Sequence, residues 1–553
     1  MQTRSFSIIL IAFTAVIVFA SCSKKSNTQG RYIPKTASMV LQINGEALTA
    51  KLPWEEIKTN ELFKEIYADT AVSSYIKSVL DNPEVTGIDI KKDLSFFVQK
   101  DTSGSYAAVE GVINDASKFK SFLNNSGDKT AEREKDGIHF LANGKINSSW
   151  NKERFVIVID APNIPSAGKF PHGYDSASTI PTMYKRDLSA TTAKLFSLEE
   201  ENSLAKNEKF SELVNTKADL HFWFNGESIN SSSMTMSPLS MMNLNKLYEG
   251  IIVCGTANFE NGKIVAEIKS YAGNQMTEIW EKYSGSKVNS DMLKRIPGND
   301  IAALIAMNFK PEGIREFLKL AGMDGFANLG ASSFGFDLDD FIKANKGDVI
   351  LAISDISHDS LRKPDAQLLF SVSIGDKNSF SKLIAAGKKL SVEKMGDSAA
   401  NKFYSNSNEN YFVIGNNKER IDKYIGASNN NNFPFLEKIN TSPIGAYINF
   451  QYILGAMKTD ATKDSLEFAQ YNATLKMWDN LISTGGGFKN GAITQHVEIN
   501  LVDKTMNSLK QLNNYLGVMG TIEKKKKAAG YKWDAAAMKM DSLKLDRQIN
   551  LPR

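Results

Sequence analysis

Cysteine, histidine and an excess of charge of either sign are all scarce in this 553-residue chain. Its two cysteines exclude a disulfide scaffold and a cysteine-ligated zinc site. Five scattered histidines supply little material for metal or acid–base chemistry. Lys and Arg number 66 against 62 Asp and Glu, a net charge of +4. That balance excludes a nucleic-acid binder working by phosphate neutralisation. Long apolar runs are missing after the first twenty residues, which excludes a polytopic membrane chain. Hydrophobic residues at 42% and charged residues at 23% are ordinary for folded domains and exclude a largely disordered chain.

Motifs of catalysis are missing as well. There is no His-Glu-x-x-His and no Gly-x-Ser-x-Gly. Gly485-Gly486-Gly487 lacks the Lys-Ser/Thr of a phosphate loop and reads as a strand bulge. Asp337-Leu338-Asp339-Asp340 has Phe341 and Ile342 where a calcium loop needs Asn/Asp and Gly, so it reads as a turn or cap. Cys254, in Ile251-Ile252-Val253-Cys254-Gly255, reads as a buried, inert thiol. The sequence therefore predicts no catalytic residue, no metal site and no cofactor.

What is present begins at the N-terminus. Arg4 precedes an apolar stretch from Phe6 to Phe19, too short to span a bilayer, which needs about 20 residues. Ala20 and Ser21 are small, Cys22 follows, and then a polar run continues to Gly30. Phe19-Ala20-Ser21-Cys22 resembles a bacterial lipobox, with Phe19 in place of the commoner Leu. The resemblance implies cleavage after residue 21, a lipid on Cys22 and a flexible tether over residues 22–33. Acyl chains contribute about 0.8 kcal/mol per buried methylene, so two or three hold a protein firmly on a membrane. Lys24 and Lys25 follow the cysteine, and no acidic residue appears before Glu46. Ser21-Cys22-Ser23-Lys24-Lys25 resembles lipoprotein starts common in the Bacteroidota, whose surface-exported members tend to carry acidic residues just after the cysteine, so the resemblance implies a periplasm-facing protein.

The rest of the chain reads as one design written twice, residues 34–290 and 291–505. Ile33-Pro34 and the run Met39–Gly45 match Ile296-Pro297 and the run Ala303–Phe309. Gly87–Ile90 is matched to Gly335–Leu338, and Lys92–Val98 to Gly347–Ile353. Ile113-Asn114-Asp115, with Phe119 and Leu123, matches Ile374-Gly375-Asp376, with Phe380 and Ile384. Phe155-Val156-Ile157 matches Phe412-Val413-Ile414, and Phe222–Asn225 matches Ala446–Asn449. Both parts end in a hairpin signal, Asn261-Gly262 and Asn490-Gly491, between alternating apolar runs. Pro53 opens a predicted helix over Trp54–Leu80, and Asp115 and Asp376 are predicted helix caps. Runs of strands with helices set between them predict an α+β fold: two tandem copies of a mixed unit with mainly antiparallel sheets. The first copy carries an inserted loop at 162–190, rich in Pro, Ser, Gly and Thr, which reads as a flap. A basic helical tail, 506–553, follows the second copy and holds Lys524–Lys527, either a solvated face or a contact to anionic headgroups.

The lipobox start, the Ile-Pro before a strand ending in Asn, and the doubled pattern together resemble the Bacteroidota lipoproteins grouped as domain of unknown function 4836. That resemblance covers nearly the whole mature chain and implies no reaction, cofactor or ligand. Six Asp-Ser/Thr pairs precede a small or apolar residue, where roughly two are expected by chance. They make Ser176, Ser398, Thr70, Ser360, Ser465 and Ser542 candidates for O-glycosylation, with Ser176 in the inserted loop the foremost. The alternative is that Asp-Ser simply marks turns and caps. Three classes of function stay open: a non-enzymatic binding or scaffolding lipoprotein of the envelope, a carrier of a lipophilic ligand, and an unrecognised enzyme. The partners expected are membrane lipid through the acyl anchor, and an envelope protein, glycan or lipophilic ligand, with no nucleic acid.

Overall fold

The computed structural model describes residues 29–68, 72–101, 104–125, 132–143, 146–160, 188–230, 243–298, 300–358, 364–400, 403–427, 431–461 and 464–528. Continuous apolar runs there become strands covered on both faces, as in Phe155–Ile159. Asn-Gly makes the tight turns: Asn490 and Gly491 both have positive φ, the pattern of a two-residue hairpin. The described residues form an α+β protein with one large antiparallel sheet of 18 strands and about 20 helices.

The N-terminal half contributes β1 (Met39–Ile43), β2 (Leu94–Asp101), β3 (Gly104–Val112), β4 (Arg133–Lys135), β5 (Ile138–Asn143), β6 (Ile146–Trp150), β7 (Arg154–Asp160), β8 (Leu220–Asn225), β9 (Ile252–Glu260) and β10 (Lys263–Tyr271). The C-terminal half contributes β11 (Ile301–Asn308), β12 (Asn345–His358), β13 (Pro364–Ile374), β14 (Tyr404–Ser407), β15 (Tyr411–Gly415), β16 (Ile444–Asn449), β17 (Trp478–Lys489) and β18 (Ala492–Leu501). The first series pairs in the order β4-β5-β6-β7-β3-β2-β1-β8-β9-β10. The second pairs as β14-β15-β13-β12-β11-β16-β17-β18. Strand β10 pairs with β18 and joins the two. From β7 and from β15 inward, both series visit their strands in the same order.

Directly paired residues share a face of the sheet. One register row therefore crosses both halves: Val156, Glu110, Ser95, Gln42, His221, Thr256 and Glu267, then His496, Thr484, Gly445, Ala306, Ile350, Ser371 and Val413. On this face the N-terminal half packs Ile33, Val40, Phe97, Leu204, Phe210 and Trp223. On the opposite face it packs Ile43, Leu94, Phe119, Trp150 and Phe155. The C-terminal half fills the row's face with Met292, Leu293, Leu304, Ile350, Tyr424 and Ile439. Each such side chain contributes about 1.5–3 kcal/mol by leaving water.

Local chemistry departs from expectation in two places. The helix expected over Trp54–Leu80 is three helices, Trp54–Lys58, Glu61–Ala68 and Ser74–Asp81. Asn60 accepts from Leu62 N–H through its side chain at 2.9 Å, and Ser73 caps the third helix through Ile76 N–H at 3.2 Å, so polar caps divide the run. The match of Gly87–Ile90 to Gly335–Leu338 also fails. Gly87 O accepts from Asn114 and Asp115, whereas Gly375 and Asp376 donate to Ala344 and Lys343. Gly87 thus occupies the place of Lys343–Ala344, and Asp337 caps the helix Leu338–Lys343 in a reciprocal box with Asp340. Asp115 and Asp376 do cap the helices Ala116–Asn125 and Lys377–Ala400. Gly485 and Gly486 lie at a register shift in β17, both with positive φ, and a Cβ on Gly485 would meet Thr494 O at 2.4 Å. The helix Ser508–Ala528 returns to the N-terminal half, where Asn60 donates to Asn513 O at 2.6 Å and Lys510 pairs with Glu56.

Candidate functional site

A polar residue is costly in a core unless it is hydrogen-bonded. Yet the row's first half buries Glu110, Ser95, Gln42, His221 and Thr256 side by side on five adjacent strands. The first four of these form the floor of a pocket of about 820 Å³, walled by Asn44, Asp93, Arg154, Thr216 and Gln29. Lys91 and Lys217 stand exposed at its rim.

Register explains why these side chains meet. Gln42 and Asn44 fall on one face of β1 and its extension, and Asn44 then caps the helix Gly45–Lys51 by accepting from Ala47 N–H at 3.0 Å. Gln42 donates through Nε2 to Asp93 Oδ2 at 2.9 Å, and Gln29 donates to the same oxygen. His221 donates from Nε2 to the carbonyl of Thr216 at 2.7 Å. Glu110, on β3, is 3% exposed. Burial pushes its carboxyl above the ordinary range, although Arg154, Ser95 and the N–H groups of Gly30 and Tyr32 pull the other way. Among the described residues, Glu110 Oε2 and Oε1 of Gln42, whose residue is 1% exposed, find no donor.

The same positions in the C-terminal half are closed. Ala306 stands for Gln42, Ile350 for Ser95, Ser371 for Glu110 and Gly445 for His221. Ala306 and Ile350 are buried in the apolar cluster, and a Cβ on Gly445 would meet Ile439 at 2.3 Å. Where Gln29 and Gly30 edge the pocket, their sequence counterparts Met292 and Leu293 are packed core. Ser371 sends its hydroxyl to Phe412 O at 2.9 Å, so no acceptor is stranded on its side chain.

The side chains singled out from sequence fall elsewhere. Cys22, Thr70, Ser176, Ser360 and Ser542 lie outside the described residues, as does most of the 162–190 loop; its last residues open the helix Leu188–Phe196. Ser398 lies in the helix Lys377–Ala400. Ser465 is exposed at the start of the helix Ser465–Met477, and its neighbour Asp464 caps that helix through Leu466 and Glu467 N–H at 2.7 and 3.0 Å. Cys254 is buried, and burial pushes its thiol up to about 11. His139 lies 2.7 Å from Glu132 and stacks on Trp150. Among the described residues no group of three His, Cys, Asp or Glu is placed to hold a metal ion, and no helix is long and apolar enough to cross a membrane. Sequence reasoning missed the pocket because Gln42, Ser95 and Glu110 carry no motif. The available signal was their mismatch with Ala306, Ile350 and Ser371.

Fold and site together define an α+β protein built on one antiparallel sheet, with a polar pocket in one half. The chain belongs to the family described as domain of unknown function DUF4836, whose model matches residues 30–433. No curated protein matches it. Among solved structures, crystal form IV of TP0453 is similar over 43% of this chain and 80% of its own, at 9% identity and a TM-score of 0.24. Crystal form I of TP0453 is similar over 44% and 79%, at 10% identity and a TM-score of 0.23. Likeness at that level carries no weight for fold or activity.

Proposed function

We propose that this protein is a lipid-anchored, periplasm-facing binding protein of the cell envelope, non-enzymatic, with the polar pocket of the N-terminal half as its ligand site. The carrying observation is the pair of stranded acceptors, Glu110 Oε2 and Gln42 Oε1, on the floor of an 820 Å³ pocket. Natural cores rarely strand such atoms, and each costs about 1–3 kcal/mol. The same sheet positions fold without them in the C-terminal half, so the fold itself does not require them.

The reading includes a tandem origin, residues 34–290 and 291–505. Pairing order supports it, and so do two packing details. Phe119 on Phe155 at 4.9 Å recurs as Phe380 on Phe412 at 5.4 Å. Arg154 over Tyr32 at 5.9 Å recurs with the partners exchanged, Arg295 over Tyr411 at 5.0 Å. Duplication followed by divergence leaves one copy as structural support and one free to bind.

The anchor is tested by Cys22→Ser, which releases the protein from membranes or blocks processing; a processed, membrane-bound variant refutes it. The pocket is tested by affinity purification of tagged protein from native membranes with small-molecule, lipid and protein mass spectrometry. A compound carried by the wild type and absent from Ser95→Ile, which installs the C-terminal residue, supports the site. Equal cargo in both refutes it. A second reading, a carrier of a lipophilic ligand, is favoured by an apolar cleft of about 340 Å³ lined by Ile279, Trp280, Ile314, Phe317, Ile444 and Ile493. Acyl chains in the same spectra, lost on Ile493→Lys, would favour it.

A further inference from the structure

The chemistry of the pocket floor narrows the class of ligand, on the reading that this pocket binds one. Both stranded atoms are acceptors: a carboxylate oxygen of Glu110 and an amide oxygen of Gln42. They project from one face of the sheet, two strands apart, with Ser95 between them in direct register. Opposed Cβ atoms sit about 4.5–5.5 Å apart and the next strand doubles that, a span that two side chains reaching inward bridge through one shared donor. The donors in the floor are already committed. Gln42 Nε2 is on Asp93, Ser95 is on Glu110, and His221 Nε2 is on Thr216. A ligand seated here must therefore bring hydrogens.

Charge adds a second criterion. Arg154 lies close enough to pull the Glu110 carboxyl down, but burial outweighs it. A buried carboxylate so placed gains most from a donor that is itself positive, because charge-assisted bonds are roughly twice as strong as neutral ones. An sp³ ammonium carries three N–H groups and satisfies two acceptors at once. A sugar hydroxyl has one hydrogen and no charge. Aromatic platforms, the usual partners of sugar faces, are missing among the residues lining the pocket apart from the imidazole of His221.

We propose that the N-terminal pocket binds a small molecule through a primary ammonium group, held between Glu110 Oε2 and Gln42 Oε1. The ammonium is the recognised element; an amine, an amino acid and the N-terminus of a short peptide all supply it. The pocket edge carries exposed Glu46 and Glu153 as well as exposed Lys91 and Lys217, so its mixed charge sets no sign for the other end of such a ligand.

Calorimetry on the full-length lipidated protein in detergent tests this, with n-butylamine, diglycine and N-acetyl-diglycine as probes. N-acetylation removes the ammonium and leaves the rest of the peptide. Expected are binding of butylamine and diglycine, at least tenfold weaker binding of N-acetyl-diglycine, and a tenfold loss for diglycine in Glu110→Gln, which keeps the shape of the side chain. Equal binding of diglycine and its acetylated form, both abolished by Ser95→Ile, overturns the ammonium assignment and leaves the pocket standing. Binding that Ser95→Ile does not change overturns both. No binding of any probe overturns the ammonium assignment alone, since the cargo comparison between wild type and Ser95→Ile judges the pocket separately.

Discussion

In the N-terminal half the sheet carries Glu110, Ser95, Gln42 and His221 in a row; at the same register the C-terminal half carries Ser371, Ile350, Ala306 and Gly445. Strand order and caps are shared, so the backbone does not dictate polarity here. The C-terminal half closes its row with Ile439 against Gly445 and with Met292 and Leu293 from the segment before β11. The N-terminal half leaves room and keeps ionisable groups in it. Where one solution to a packing problem is apolar, a polar solution at the matching register answers a different demand. Buried ionisable groups of this kind are weak evidence for stability and better evidence for a site.

The largest expected effect comes from forcing the C-terminal half to imitate the N-terminal half. Ser371→Glu installs the residue of the matching N-terminal position at a fully buried site beside Tyr424, puts a carboxylate into an apolar cluster, and is expected to cost at least about 4 kcal/mol. Loss of soluble, folded protein, or a fall of many degrees in the thermal midpoint, checks it. The opposite kind of change, Ser95→Ile, which copies Ile350 into the N-terminal half, is expected to stay within about 1.5 kcal/mol, because the pocket has volume to take it. Equal costs in the two directions would break the comparison. A step smaller, Phe119→Ala and Phe380→Ala probe the tilted aromatic pair present in each half. Phe119 is fully buried, so its loss is expected to cost about 3–5 kcal/mol; Phe380 is half-buried and its loss is expected to cost about half as much. Denaturant midpoints of the two variants measure the ratio.

How far the sequence foretold this depends on which physical signal a residue carries. Asn-Gly turns, Asp caps and apolar alternation are local, and they located β9–β10, β17–β18 and the helices starting after Asp115 and Asp376. Helix length was less legible, because the breaks near Asn60 and Ser73 come from side chains that compete for backbone hydrogens within an otherwise helical pattern. The match of Gly87 to Gly335 failed because a glycine in a turn is common; Gly87 is held by the approach of Asp115 O, 2.2 Å from where a Cβ would stand, while Gly335 meets nothing. The pocket was not legible at all as a motif. Its floor residues Gln42, Ser95, Glu110 and His221 follow one another at intervals of 53, 15 and 111 positions along the chain, and only the pairing of β3, β2, β1 and β8 brings them together.

Glu110 sharpens the comparison through pH. Its carboxyl is held above its ordinary 4.5 by burial, so the ionised form is the disfavoured one in the folded protein. Stability associated with this group is therefore full at low pH and is lost as pH rises through the folded value. Glu110→Gln imitates the protonated form. Without ligand it is expected to be more stable than the wild type by about 1 kcal/mol at pH 8, with the gain vanishing as pH falls below 4.5. Thermal midpoints of the two proteins across that range measure it. A variant less stable than the wild type at pH 8 would mean that Arg154 and the N–H groups of Gly30 and Tyr32 fully satisfy the carboxylate, and the contrast between the halves would lose its electrostatic part.

The smallest effect lies at the seam, where the two halves meet most symmetrically. Glu267 on β10 and His496 on β18 pair directly, and each is the counterpart of the other in its own series. His496 gives Nδ1 to Glu267 and Nε2 to Glu498 Oε1 at 3.1 Å, and Glu498 also takes Lys438 at 2.6 Å. Desolvation works against the charged imidazole, but the bonds to Glu267 and Glu498 outweigh it and raise His496 above its ordinary 6.5. A raised histidine stabilises the fold fully below 6.5, and that contribution is lost as pH rises through the folded value. Both partners are partly in water, so the pair contributes less than about 1 kcal/mol. His496→Gln is therefore expected to lower the thermal midpoint by a degree or two at pH 6, by less at pH 8.5, and by less again in high salt. A penalty that grows toward pH 8.5 would show that the neutral ring, packed between β10 and β17, holds the halves together and that the ion pair does not.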